Sequence, residues 1–138
     1  MTPIPIGILG ATGAVGQRFI SLLARHPWFQ ITDLLASQRS AGKRYGTAVN
    51  WVLDAPLPSH IAEMPLKLGQ PGQIDARVLF SALPTDEAGE MEPLLAGAGH
   101  FIFSNASSYR MTPDVPLVVT EINPGHLALV RTQQANRG

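Results

Sequence analysis

Gly10, Gly13 and Gly16 stand at three-residue intervals in the run Gly10-Ala11-Thr12-Gly13-Ala14-Val15-Gly16. An apolar stretch, Ile4 to Leu9, precedes them, and a helical pattern with Val15, Phe19, Leu22 and Leu23 follows. Strand, glycine turn and helix form the phosphate-binding corner of a dinucleotide fold. The spacing is Gly-x-x-Gly-x-x-Gly rather than the commoner Gly-x-Gly-x-x-Gly, so the flanking strand and helix carry the inference. Gly10 permits a tight exit from the strand. Gly13 lets backbone N–H groups approach a pyrophosphate. Gly16 lets the helix pack close to the sheet. The helix N-terminus adds orphan donors and a partial positive charge for the anion.

A second group selects the cofactor. NAD-binding folds place a carboxylate at the end of the second strand, where it takes the ribose hydroxyls. Here that position is Ser37, followed by Gln38, Arg39, Ser40, Ala41, Gly42 and Lys43. Hydroxyls, a guanidinium and an ammonium suit a 2′-phosphate, and arginine can hold one with two parallel hydrogen bonds. The expected cofactor is therefore NADP. Asp33 lies inside the strand and reads as a strand-end or packing residue. Arg110 closes a third polar loop, Ser104–Arg110, and its guanidinium suits an anion.

Two absences narrow the chemistry. The chain has no cysteine, which excludes disulfides, thiolate metal sites and a cysteine nucleophile within it. Its histidines, His26, His60, His100 and His126, show no metal-ligand spacing, so no metal is expected and each reads as a surface or capping residue. Glu87, Glu90 and Glu92 read as a solvated helix face. Glu121, beside Asn123, is a possible site residue at a strand end.

The elements that must position these groups alternate. Strands are expected at Ile4–Leu9, Phe29–Ala36, Met64–Leu68, Arg77–Ala82, Phe101–Ser104 and Leu117–Thr120. Helices are expected at Ala14–Ala24, Tyr45–Leu53 and Thr85–Gly97, the last interrupted or kinked near Pro93. Asn123-Pro124 reads as an N-cap followed by proline at the first helical position, opening a polar helix or tail from Leu127 to Gly138. The alternation predicts an α/β fold, Rossmann-like and doubly wound, with a mostly parallel sheet. The 138 residues fit a single domain. Ligands of such sheets bind at the carboxyl ends of the strands, where Gly10–Gly16, Ser37–Lys43, Ser81–Pro84 and Ser104–Arg110 all fall.

Ten basic and ten acidic side chains leave no net charge and no basic stripe, so neither nucleic acid nor membrane is an expected partner. No apolar stretch is long enough to span a bilayer, and no signal-peptide pattern opens the chain, so a cytoplasmic protein with a small-molecule substrate is expected.

Four segments occur in order: the Gly-Ala-Thr-Gly-Ala-Val-Gly turn, Ala36-Ser37-Gln38-Arg39-Ser40-Ala41-Gly42-Lys43, Ser104-Asn105-Ala106-Ser107-Ser108-Tyr109-Arg110, and Val115–Pro124. Together they resemble the N-terminal half of the aspartate-β-semialdehyde dehydrogenases. The Tyr45–Met64 stretch with Trp51 resembles the archaeal and fungal type. The family reduces β-aspartyl phosphate to aspartate semialdehyde with NADPH, toward lysine, methionine and threonine. The resemblance implies that Thr12, Gly13 and Val15 contact the pyrophosphate, with Gly10 and Ala14 in the same turn. It implies that Ser37, Arg39 and Ser40 hold the 2′-phosphate. Ser81, Ala82, Leu83 and Pro84 would line the ribose and nicotinamide side, Asn105 would lie beside the cofactor, and Arg110 would hold the substrate's phosphate.

The family's nucleophilic cysteine, in a Ser/Thr-Asn-x-Asn-Cys motif, has no counterpart here, nor do its histidine acid/base and its dimerisation domain. The chain is therefore expected to be an isolated cofactor domain without activity of its own. Apolar surface once covered by the rest would favour self-association, and the full-length protein is expected to be a homodimer or homotetramer. The short-chain reductases are a rival class, but their Tyr-x-x-x-Lys is missing: Val49 follows Tyr45 and Pro113 follows Tyr109 at that spacing. N-acetyl-glutamyl-phosphate reductase, malonyl-CoA reductase and a non-catalytic NADP-binding or redox-sensing module remain alternatives.

Overall fold

A computed structural model describes residues 1–137. Five parallel strands, β1 (Ile4–Leu9), β2 (Phe29–Ala36), β3 (Leu66–Leu68), β4 (Val78–Ser81) and β5 (Phe101–Ser104), lie in the order β3-β2-β1-β4-β5. That is the order of a doubly wound dinucleotide fold. The helices are α1 (Ala14–Leu23), α2 (Tyr45–Ala48), α3 (Ser59–Ala62), α4 (Thr85–Gly97) and α5 (Leu129–Arg137), with a 3₁₀ turn at Pro124–Ala128.

The inner strands are covered on both faces, as a parallel sheet requires, while the edge strand β5 keeps Phe101 and Phe103 exposed. On one face Ile6, Ile8 and Leu34 pack with Ile20 of α1, Tyr45 of α2 and Ile61 of α3. On the other, Leu9, Leu35 and Leu79 pack with Leu95 of α4 and Ile74. Successive side chains alternate between these faces except at Thr32, where the β1–β2 register slips by one residue: Ile6 pairs with Ile31, but Gly7 pairs with Asp33. The extra residue turns Asp33 onto the α4 face. There its buried carboxylate accepts hydrogen bonds from Lys67 Nζ (2.5 Å) and the Ala76 N–H (2.8 Å). Asp33 is thus a packing residue, held away from the sheet's carboxyl edge.

Several elements depart from the sequence expectation, each for a local reason. The helix expected over Tyr45–Leu53 stops at Ala48, because the Gln17 side chain takes the Asn50 carbonyl and the Val52 N–H. The strand expected from Met64 begins at Leu66, after Pro65, which has no N–H to give. Leu117–Thr120 forms no strand. His126 Nδ1 and Asn123 Oδ1 accept its Leu117 and Val119 amides, so those donors are not available to a ladder. Asn123 accordingly spends its side chain backwards and makes no cap bond to the 3₁₀ turn. The polar helix expected from Leu127 begins at Leu129, and Gly138 lies outside the described residues.

Pro93 does not interrupt α4, which runs unbroken to Gly97. Proline cannot donate to the carbonyl four residues earlier, that of Gly89. The Tyr109 hydroxyl donates to this carbonyl instead, at 2.5 Å. The helix thereby gains a tie to the loop after β5.

Candidate functional site

A cleft of about 500 Å³ lies at the carboxyl edge of the sheet. Its floor is Leu9 and Gly10 at the end of β1. One wall is Thr12 and Gly13, and another is Ala36, Ser37 and Gln38 after β2, with Leu68, Gly69 and Gln70 after β3. The third is Ala82, Leu83 and Pro84 after β4, with Glu87, Glu90 and Met91 of α4.

The glycine turn is built for close approach. Gly10 has φ +70°, a left-handed conformation that side chains resist, and a Cβ on it would lie 2.8 Å from the Ala82 carbonyl oxygen. Gly10 therefore joins the two halves of the cleft. At Gly13 a side chain would meet only the Gly10 carbonyl, at 3.6 Å, and would otherwise fill open space. The Gly13 amide closes the turn on Gly10, and Gln17 begins the helical ladder by donating to the Gly13 carbonyl. The N–H groups of Thr12, Ala14, Val15 and Gly16 have no protein acceptor among the described residues. Four free donors around an open turn are suited to a polyanion.

The loop after β2 is anchored at both ends. The Ser40 and Ala41 amides bond the Ser37 carbonyl, and the Gly42 amide bonds Leu66 of β3. Ser37 and Gln38 face the cleft. Arg39 and Ser40 belong to the same turn but lie beyond its lining. The Arg39 guanidinium makes no ion pair or side-chain hydrogen bond among the described residues. No carboxylate lies between Ala36 and Lys43.

The remaining sequence candidates form an adjoining cluster. Ser81 is fully buried at the end of β4, and its hydroxyl has no hydrogen-bond partner among the described residues. Its carbonyl accepts the Asn105 amide at 3.0 Å, and Arg110 donates to the Asn105 carbonyl at 2.9 Å. Asn105 and Arg110 are thus locked to each other beside β4, outside the cleft proper. Ala14 and Val15 lie on the exposed first turn of α1.

Helix α4 holds this loop from below through Glu92, Thr85 and the Gly89 carbonyl. Glu92 is buried, not solvated as its sequence context suggests, and accepts from Ser104 Oγ. Ser108 donates to the Thr85 carbonyl, and Thr85 and Ser107 share a hydroxyl contact. Glu87 and Glu90 are exposed but stand on the cleft wall, as do Gln70 and Met91. Nothing short-range in the sequence marks the last two as site residues, because only the sheet order brings β3 and α4 to opposite sides of the cleft.

The histidines stay apart. His26 Nδ1 accepts the Trp28 amide, and His100 Nδ1 lies 2.9 Å from the Ala76 carbonyl oxygen. Glu121 is exposed and accepts from Thr120, away from the cleft.

Residues 5–130 match the family model described as semialdehyde dehydrogenase, NAD binding domain. The chain belongs to this family. Within it, the aspartate-semialdehyde dehydrogenase of Archaeoglobus fulgidus is 50% identical over 133 residues, 96% of this chain and 39% of that protein. The solved aspartate semialdehyde dehydrogenase with NADP from Candida albicans superposes with a TM-score of 0.91 at 42% identity, covering 96% of this chain and 37% of that one. Aspartate semialdehyde dehydrogenase II from Vibrio cholerae, complexed with ASA, gives 0.70 at 28% identity, covering 96% and 36%. The archaeal and fungal proteins are the nearer of these three, in line with the resemblance in Tyr45–Met64. This semialdehyde dehydrogenase domain spans about two-fifths of the length of the curated relatives it matches. Among its described residues no helix is long and apolar enough to cross a membrane.

Proposed function

We propose that the chain is the NADP-binding domain of an enzyme that reduces β-aspartyl phosphate to aspartate semialdehyde. The observation that carries the cofactor half is the pair of turns that border the cleft. A glycine turn with free donors stands at one end, and a hydroxyl- and arginine-bearing turn without a carboxylate stands at the other. The relatives' names and the NADP in the Candida albicans structure support the same reading.

In this reading the turn from Gly10 to Val15 holds the pyrophosphate through backbone N–H groups. Gly13 supplies the open surface, and Thr12 and Ala14 flank it. Ser37, Arg39 and Ser40 hold the 2′-phosphate. Ser81, Ala82, Leu83 and Pro84 line the ribose and nicotinamide side, with Asn105 adjacent. Arg110 holds the phosphate of the acyl substrate. NADPH supplies a hydride when bound. The family's route also needs a thiolate to carry the acyl group as a thioester, and this chain has no thiol. A purified chain given aspartate semialdehyde, phosphate and NADP is therefore expected to form no NADPH. Steady turnover would contradict the mechanism.

Phe103 (56% exposed), Met111 (90%) and Ile122 (80%) on and after β5 support a further part of a longer protein packing there, and a homodimeric or homotetrameric whole.

Arg39 tests the cofactor assignment. Its substitution by alanine removes a charge-assisted phosphate contact, so NADPH binding is expected to weaken by about 1.5–3 kcal/mol while NADH binding stays nearly constant. Calorimetric titration of both cofactors into both chains measures this. Equal affinities of the unaltered chain for NADPH and NADH would sink the 2′-phosphate assignment.

A further inference from the structure

We propose that Tyr45 and Gln17 are positioning residues for the glycine turn: from the buried side Tyr45 grips the Ala11 carbonyl and so turns the free Thr12 N–H toward the cleft, and Gln17 grips the Thr12 carbonyl and so keeps the turn closed on Gly10. The proposal rests on the NADP reading and adds what holds the turn in its binding form.

Neither side chain lines the cleft, and both are buried, Tyr45 fully and Gln17 to within 2%. Tyr45 Oη donates to the Ala11 carbonyl at 2.7 Å. Gln17 Nε2 donates to the Thr12 carbonyl at 3.1 Å and to the Asn50 carbonyl at 2.9 Å, while its Oε1 accepts the Val52 N–H at 2.9 Å. The amide group of Gln17 is thus fully engaged between the turn and residues 50–52.

Peptide geometry turns these contacts into a direction. In a planar trans peptide the C=O and the next N–H point to opposite sides. No cis peptide occurs among the described residues. A carbonyl of Ala11 fixed toward buried Tyr45 therefore sends the Thr12 N–H the other way. That N–H is one of the four without a protein acceptor. A flip of the same peptide would present an oxygen to the anion in place of a donor. Gln17 restrains the next peptide in the same manner, and the Gly13 N–H of that peptide closes the turn on Gly10.

The support behind the grip is stiff. Helix α2 packs so closely on α3 that a Cβ on Gly46 would lie 2.9 Å from Ala62 Cβ. The Tyr45 amide is bonded to the Met64 carbonyl at 2.9 Å. Residues 45–52 therefore act as a strut behind the turn.

The test compares a ligand that has a pyrophosphate with one that lacks it. Tyr45→Phe keeps the ring and removes one hydroxyl. Gln17→Met keeps the side-chain length and removes all three bonds. The probes are NADPH, by calorimetry, and adenosine 2′-monophosphate, by amide shift titration, each with the 138-residue chain. Thermal unfolding is followed in parallel. Each variant is expected to bind NADPH about tenfold more weakly, the scale of one or two lost hydrogen bonds, with adenosine 2′-monophosphate binding unchanged. A mere loss of stability would weaken both ligands alike. Should Gln17→Met fail to fold, Tyr45→Phe decides. Undiminished NADPH affinity in Tyr45→Phe, or equal weakening of both probes, overturns the positioning role. Failure of the unaltered chain to bind NADPH would instead overturn the NADP reading and take this proposal with it.

Discussion

Replacing Gly16 by alanine is expected to unfold or loosen the chain and to abolish tight NADPH binding together. The residue has an ordinary φ, so the cause is space. A Cβ there would sit 2.2 Å from the Gly10 carbonyl oxygen and 2.9 Å from Ala11 Cα. Both obstacles are backbone atoms and cannot swing aside as a side chain can. Helix α1 would have to lift from the turn, pulling its free N–H groups off the cleft and disturbing Ile20 in the core. Overpacking of this severity lies at or beyond the upper end of the usual range, about 3 kcal/mol or more. For a domain of this size that is a fall in Tm of roughly 10 °C. Gly97→Ala serves as the control. It closes α4, and its Cβ would meet nothing within 4 Å. That change should leave stability level or raised by up to about 1 kcal/mol. Thermal unfolding of the two variants side by side separates them, and a Gly16→Ala chain as stable as Gly97→Ala would refute the close packing of turn and helix.

The second large effect is expected at Asp33. Alanine there removes the acceptor for Lys67 and for the Ala76 N–H, leaving a buried donor without a partner. Losing that charged acceptor and stranding the buried Ala76 N–H costs about 1–3 kcal/mol, because Lys67 is partly exposed and keeps Asp75 as a partner. Asp33→Asn keeps an oxygen for Ala76 and should lose less. Urea unfolding at neutral pH measures both, and a loss below about 1 kcal/mol for alanine would mean that the pair contributes little.

The pH dependence has a defined sign. Hydrogen bonds to Asp33 and then to Asp75 hold the Lys67 ammonium above the ordinary lysine value of 10.5. A raised pKa in the folded state means the contribution is complete below 10.5 and is lost as pH rises through the folded value. Tyr45 acts in the same direction, since burial pushes its phenol up from 10.0. Stability should therefore be level across neutral pH and fall above about pH 10, less steeply in Asp33→Asn.

The dinucleotide corner was readable because its signals are local. The β1 run, the glycines and the apolar face of α1 lie within Ile4–Leu23, and the polar turn after β2 follows its strand directly. What escaped the sequence depends on partners far along the chain. Glu92 resembles its solvated neighbours until Ser104 folds back to donate to it. Pro93 looks like a helix breaker because Tyr109, which takes the stranded Gly89 carbonyl, belongs to another loop. Val118 and Val119 have strand-forming side chains, but Asn123 and His126 satisfy the backbone around them first. Gln70 and Met91 become cleft residues only through the sheet order.

The most direct measurement of the central claim is an amide-resolved titration of the isotope-labelled chain with NADPH. Saturable shifts are expected at Thr12, Gly13 and Val15 in the glycine turn, at Ser37 and Arg39 after β2, and at Ala82 after β4. The smaller hollow between α1 and residues 55–58, bordered by Ser21 and Arg25, should stay silent. Shifts confined to that hollow, or none at saturating NADPH, would contradict the assignment of the cleft as the NADP site.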